Sequence, residues 1–175
     1  MALGELRGSR LRLLPASPDH MDLFAELNSD PAVMRHVSGR PASRIETETE
    51  WKSRLGSRSA VHRGLGYWTG YLDSQFIGWW GLGFQDAHED AGELGFRIQR
   101  RHWRRGFGLE GARLVVEHGF AEARINRIWA GTVTANEASR ATLSRLGMVC
   151  TDEPAPGILT YEVTLMQWLE RADGP

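Results

Sequence analysis

Residues 93–123 constrain the fold more than any other stretch. Glu93 to Ile98 reads as a central strand. From Arg100 to Arg105, five of six residues are Arg or Trp, and the sixth is His102. Gly106 or Phe107 then opens a helix with Leu109, Ala112, Val116, Phe120 and Ala123 on its buried face. A strand, a basic glycine turn and a helix start form an anion site in physical terms. The first helical N–H groups have no intrahelical partner, and the helix dipole is positive there. Gly106 and Gly108 allow close backbone approach, and Arg104 and Arg105 add charge. A diphosphate is the natural guest.

Two nucleotide motifs compete for this turn. A P-loop needs Gly-Lys-Ser/Thr at the helix start, but Gly108 is followed by Leu109 and Glu110. Gly106-Phe107-Gly108-Leu109-Glu110-Gly111 spells the dinucleotide fingerprint. That fold runs its strand almost directly into the first glycine and places an acid at the end of the next strand. Here a basic spacer separates Ile98 from Gly106, and the next strand ends Thr132-Val133-Thr134. Both readings fail.

The remaining chain alternates strands and helices. Arg10–Leu14 is a first strand. Pro18-Asp19 opens a helix bearing Met21, Phe24, Ala25 and Leu27, and a helical turn follows through Val33, Met34 and Val37. Ser43 with Glu46 is a capping box for a helix running toward Arg58. Tyr67–Leu72 and Phe76–Phe84 make a hairpin, and Gln85–Ala91 a polar loop. Arg127–Val133 is a strand. Thr134 to Glu137 is a second capping box, for a helix that Gly147 ends. Met148–Thr151 and Ile158–Thr164 form a last hairpin, and Gln167–Arg171 a short tail. The expectation is an α/β fold: a mixed, mostly antiparallel sheet of about seven strands with helices on both faces. A length of 175 residues suits a single domain spanning 1–175.

A net charge of −1 gives no bulk attraction for nucleic acid, and Lys52 is the sole lysine among many arginines. No apolar run reaches membrane-spanning length, and no basic stretch precedes an apolar one at the N-terminus. With one cysteine, Cys150, there is no internal disulfide. These features lead to an expectation of a cytoplasmic protein. On a strand with no nearby histidine, Cys150 reads as a buried structural thiol. Six scattered histidines show no ligand spacing, so no metal is expected.

At this point the residues resemble a known family. Glu93-Leu94-Gly95-Phe96-Arg97-Ile98, then Trp103-Arg104-Arg105-Gly106-Phe107-Gly108-Leu109-Glu110, resembles the acetyl-coenzyme A motif of the GNAT N-acetyltransferases. The branch it looks like is that of the ribosomal-protein N-terminal (Rim-type) acetyltransferases. Arg10–Leu13, Asn28–Met34, Asn126–Ile128, Asn136–Arg140, Leu146–Met148 and Thr160–Val163 are similar to further motifs of that branch, in order along nearly the whole chain. In place of the family's usual residues stand Arg104, where a glycine is customary, and Met148, where Phe is common.

The resemblance implies the acyl-CoA N-acyltransferase fold, acetyl-CoA as cosubstrate, and direct attack by a primary amine in a ternary complex. It implies that backbone groups around Phe96, Arg97 and Ile98 meet the pantetheine arm, through a strand splayed from its neighbour. Backbone amides from Arg104 through Arg105, Gly106, Phe107 and Gly108 to Leu109 would hold the pyrophosphate, and Trp103 counts among the cofactor-binding residues, although its side chain reads on its own as a core anchor. It further implies Asn136 on the pantetheine, Ser139 near the thioester sulfur, and Arg145 as a further cofactor contact. Glu93 is the candidate base, Tyr161 a candidate donor, and Ser139 sits between the two roles. Each residue also has a purely structural reading: Glu93 as a strand-end acid, Asn136 as a helix-start residue, Ser139 as a packing contact, Tyr161 as core. His88, Glu89 and Asp90 are weaker base candidates. Trp79 and Trp80 should point to opposite faces, one toward the acceptor groove. That groove draws on the Ser38–Pro41 region, the first helices and the closing hairpin. The implied partner is a peptide N-terminus or a small-molecule amine, and exposed aromatics on the last strands would point to a homodimer. The rival reading is a non-catalytic acyl-CoA-binding sensor or scaffold.

Overall fold

The computed structural model describes residues 3–56, 62–84 and 90–172. Gln85 to Glu89, and with them His88 and Glu89 as candidate bases, lie outside the described residues, as does Arg58.

Eight strands form one open sheet: β1 (Leu6–Arg7), β2 (Arg12–Pro15), β3 (Gly66–Leu72), β4 (Gln75–Gly83), β5 (Ala91–Ile98), β6 (Arg127–Val133), β7 (Val149–Ala155) and β8 (Ile158–Thr164). The spatial order is β1-β2-β3-β4-β5-β6-β8-β7. Every neighbouring pair is antiparallel except β5 and β6. The α/β expectation with a mostly antiparallel sheet holds. The eighth strand is the two-residue β1, too short to leave a pattern in the sequence.

Helices cover both faces. On one side lie α1 (Met21–Ser29), α2 (Pro31–Met34) and α3 (Arg44–Gly56). Their core joins Phe24, Leu27, Val33 and Trp51 to Phe76 and Trp79 of the sheet. Trp51 stacks on Phe24 at 3.6 Å between ring centroids. Ser43 caps α3 as expected: its hydroxyl accepts from the Glu46 N–H at 3.2 Å, and Glu46 accepts from the Ser43 N–H at 2.7 Å. On the other side lie α4 (Phe107–Ala121) and α5 (Glu137–Arg145), with α6 (Leu165–Ala172) at the end of the chain. Their core takes in Trp80, Leu82, Leu94, Phe107, Val116 and Leu143. Trp79 and Trp80 therefore do enter opposite cores, as alternation along a strand requires.

Four local expectations need correction. Residues 167–171 are not a tail but belong to α6. Trp168 of α6 packs on the larger core, its ring 5.9 Å from Phe120. The cap of α5 is Asn136, whose side chain accepts from the Ser139 N–H at 3.2 Å, and not Thr134. Cys150 is exposed, because β7 is the outermost strand and is open to solvent along most of its length. Trp103 is 43% exposed and anchors no core.

Candidate active site

The parallel pairing of β5 with β6 is short. Its register runs Ala91↔Arg127, Gly92↔Ile128, Glu93↔Trp129 and goes no further, although β5 continues to Ile98 and β6 to Val133. On its other edge β5 stays paired with β4 from Glu93 to Ile98. The sheet thus forks immediately after Glu93.

Backbone direction alternates along a strand. The Asp90 carbonyl accepts from the Asn126 N–H on the β6 side, while the Gln99 N–H donates to Ile77 on the β4 side. Even-numbered residues of β5 therefore turn their peptide groups toward β6. For Phe96 and Ile98 that direction leads into the fork, where the ladder offers no partner. The indole N–H of Trp103 reaches back and donates to the Ile98 carbonyl at 2.8 Å. This is the task of Trp103 in place of core packing: it ties the open strand end and leaves the Ile98 N–H facing the fork. A side chain added at Gly131, just past the fork on β6, would meet nothing within 4 Å.

Arg97 faces the other way. Its backbone turns toward β4, and its buried guanidinium donates to Asn28 at 2.6 Å and to Glu50 at 3.1 Å. Burial lowers its pKa, and the Glu50 charge opposes that shift. Asn28 also donates to Glu50 and to Thr47, and Arg54 donates to Glu50 at 2.7 Å. This network, which sequence reading missed, ties α1 and α3 to β5. Apart from the Arg54–Glu50 pair within α3, its bonded members lie 19 to 69 residues apart, so no local pattern announces it. The Arg97 side chain is not assembled with the other cofactor candidates.

Glu93 lies on the same face as Arg97, at the mouth of the fork. Opposite it is Gly83, where an added Cβ would come within 3.0 Å of the Tyr67 hydroxyl and 3.6 Å of the Glu93 Cβ. Tyr67, another residue that sequence reading missed, is half-buried. Burial raises its pKa, Arg54 opposes this, and the Glu93 charge adds to it. A cavity of about 510 Å³ lies between α1, α2 and residues 99–101. None of its lining residues belongs to the fork.

Beyond Ile98 the chain makes a tight turn of helix (Arg100–His102), then Trp103, then two left-handed residues, Arg104 (φ 58°) and Gly106 (φ 81°), before α4 begins at Phe107. Left-handed residues in such a turn bring successive N–H groups to one concave side. The customary glycine at position 104 now has a physical reason, and Arg104 adopts the glycine-like conformation without being one. Arg104, Arg105 and Gly106 are exposed. With the unpaired N–H groups opening α4, they present an anion cradle. A Cβ at Gly108 would sit 3.3 Å from Ile98, 3.7 Å from Phe96 and 3.9 Å from Thr142, so the end of the fork, the cradle and α5 converge there.

On α5, Asn136 and Ser139 are half-buried in the first turn. The Asn136 carbonyl oxygen is committed to the cap, which leaves its NH2 as a donor. Arg145 is exposed in the last turn. Tyr161 is buried and pairs with Ala130 of β6. Its side chain interacts with Arg140 and raises the pKa of that arginine.

His102 sits beneath the cradle and is 4% exposed. Arg101 Nε donates to its Nε2 at 3.2 Å, and Arg105 Nη1 stands 3.3 Å from its Nδ1. Burial, then Arg101 and Arg105, lower its pKa. The unfolded chain therefore takes up this proton at higher pH than the folded one. Stability is lost as pH falls through the ordinary imidazole range near 6.5. We expect the melting temperature to fall between pH 8 and pH 5, and His102→Gln to flatten that slope in a thermal-shift series. An unchanged slope would remove His102 as its source.

A family profile described as an acetyltransferase (GNAT) domain matches residues 10–149. The chain belongs to the GNAT acetyltransferase family. It is an acetyl-CoA-dependent N-acetyltransferase, and the family uses acetyl-CoA as acyl donor. The FsC-acetyl coenzyme A-N(2)-transacetylase of Aspergillus fumigatus is 32% identical over 183 residues, which cover 94% of this chain and 77% of that protein. Spermidine N-acetyltransferase from Vibrio cholerae, solved with CoA and spermine, superposes with a TM-score of 0.79 at 14% identity, covering 92% of this chain and 99% of that one. RimL, a ribosomal alpha-N-protein acetyltransferase in complex with coenzyme A, gives 0.77 at 15%, covering 92% and 98%. These two likenesses are of fold. Among the described residues no group of side chains is arranged to hold a metal ion, and no helix is long and apolar enough to cross a membrane.

Proposed function

We propose that this acetyltransferase acts on an α-amine, one carried next to a carbonyl group, by direct attack on acetyl-CoA in a ternary complex. The observation that carries the mechanism is the fork after Glu93, which ends in the left-handed basic turn. Pantetheine pairs with the peptide groups of Phe96 and the N–H of Ile98, and the pyrophosphate rests on the amides from Arg104 to Leu109. The NH2 of Asn136 meets the pantetheine, Ser139 lies near the thioester sulfur, and Arg145 contacts the outer part of the cofactor. Glu93 removes the proton as the amine nitrogen bonds to the thioester carbon. The C–S bond then breaks, and the CoA thiolate takes a proton, for which Tyr161 is the candidate donor.

The choice of acceptor rests on two supports. The Aspergillus relative is named for transfer to an N(2) position, and RimL for alpha-N acetylation. The second support is acid–base arithmetic. At pH 7 an α-amine of pKa about 7.8 is neutral in roughly one molecule of seven, and a lysine-type amine in about one of 2,500. A site whose leading candidate base is a carboxylate, Glu93, is suited to the former.

The test is an acceptor panel at pH 7, followed by release of free CoA thiol. Amino-acid esters and dipeptides with free α-amines should exceed spermidine and α-blocked lysine at least tenfold in kcat/KM. Equal or better turnover of the terminal-amine compounds would overturn the assignment.

A further inference from the structure

We propose that Arg10 is a positioning residue for the pyrophosphate turn, holding its backbone in the anion-binding conformation from outside the cradle. The inference rests on the reading that the pyrophosphate lies at this turn.

Arg10 precedes β2 and is 100 residues from Glu110, yet the two are joined by several bonds. Arg10 Nε donates to Glu110 Oε2 at 2.8 Å, and the backbone N–H groups of Arg10 and Leu11 donate to Glu110 Oε1 at 2.7 and 2.9 Å. Those two N–H bonds, the side-chain bond and the Arg10 charge together hold the Glu110 carboxyl below its ordinary pKa, against the effect of burial. The same guanidinium lies 4.5 Å above the buried Phe107 ring. Its Nη1 donates to the carbonyl of Arg105 at 2.9 Å.

That last bond is the consequential one. In a trans peptide the C=O and the following N–H point in opposite directions. Drawing the Arg105 carbonyl toward Arg10 turns the Gly106 N–H away from it, out to the exposed side of the turn. One hydrogen bond thus fixes the plane of the Arg105–Gly106 peptide, which lies within the turn bounded by left-handed Arg104 and left-handed Gly106. The local residues are small enough to permit this. A Cβ on Gly106 would press to 3.3 Å of Arg10 Nη2, and one on Gly8 would come within 2.7 Å of Glu110 Oε1.

Charge gives Arg10 a second reason to be there. Glu110 lies in the first turn of α4, next to the place proposed for a dianion. Without the guanidinium its carboxylate would face the pyrophosphate as a like charge. Lysine cannot substitute, because one ammonium does not span the carboxylate and the carbonyl with a planar fork.

The experiment compares two donors, acetyl-CoA and S-acetylpantetheine, which lacks the pyrophosphate. The readout is the ratio of their kcat/KM values in the wild type, Arg10→Ala and Arg10→Lys, with melting temperatures alongside. We expect the ratio to fall at least tenfold in Arg10→Ala and severalfold in Arg10→Lys, through KM for acetyl-CoA. A general structural role would lower activity with both donors alike, and a ratio equal to the wild type in both variants overturns the proposal. Should Arg10→Ala not fold, Arg10→Lys carries the test by itself, since it keeps the charge and part of the contact. If the wild type does not prefer acetyl-CoA over S-acetylpantetheine, the pyrophosphate reading itself has failed and the role of Arg10 falls with it, whereas a wild-type preference that both variants keep overturns the role of Arg10 alone.

Discussion

Glu93→Gln should lower kcat by roughly a hundred- to ten-thousandfold while leaving the CoA-induced rise in melting temperature in place. Glutamine keeps the size and shape of glutamate, so the packing at the fork, where Gly83 leaves room beside the Tyr67 hydroxyl, is preserved. Only the ability to accept a proton is lost. The proposed cofactor contacts lie further along β5 and in the turn, so binding and turnover should separate. The pH profile adds a second discriminant. In the wild type, kcat/KM should rise with pH as the acceptor amine loses its proton. In the variant the limb set by the acceptor, near 7.7–8.0 for an α-amine, should remain at low amplitude. Turnover at the wild-type rate would remove Glu93 from the chemistry and return it to the status of a strand-end acid. A variant that loses both turnover and the CoA-induced shift would mean that Glu93 supports the fork instead.

The parts of this architecture legible in the sequence are those written locally. The Ser43–Glu46 capping box, the opposed Trp79 and Trp80, and the strand that runs into a basic glycine turn are all set by residues within a few positions of one another. The C-terminal helix reads as a tail in the sequence although Leu165, Trp168 and Leu169 follow helical spacing, because the segment is short and its partner Phe120 is far away in the chain. Exposure was not legible. Cys150 and Trp103 are residue types usually found inside, and what exposes them is β7 at the sheet edge and the open end of β5. The networks of Arg97 with Asn28 and Glu50, and of Arg10 with Glu110, join distant segments and needed coordinates. Where the sheet parts was implied by resemblance, and its position after Glu93 follows from the register.

The dinucleotide spelling from Gly106 to Gly111 yields the second large effect, because its last glycine does the work that such a glycine does in that other fold: it lets the helix lie close against the sheet. Gly111 faces Trp80, which is fully buried and donates its indole N–H to the Gly108 carbonyl at 3.2 Å. A Cβ at 111 would fall 2.3 Å from Trp80 Cε2 and 2.6 Å from its Nε1, both in a rigid ring with no room to retreat. Helix propensity alone argues that Gly111→Ala stabilises α4 by up to about 1 kcal/mol. Overpacking against a fixed indole costs about 1–3 kcal/mol and occasionally more, and a contact this short belongs at the top of that range. The steric term wins by about 2 kcal/mol, so the melting temperature should drop by roughly 4–8 °C for a chain of this size. Gly56→Ala is the control. It lies at the end of α3 with nothing within 4 Å of an added Cβ, so it should be neutral or slightly stabilising. Because relief of the clash moves the start of α4, Gly111→Ala should also raise KM for acetyl-CoA. A stabilised Gly111→Ala protein would show that α4 does not lie against Trp80 as described, and the position of the cradle would have to be revised with it.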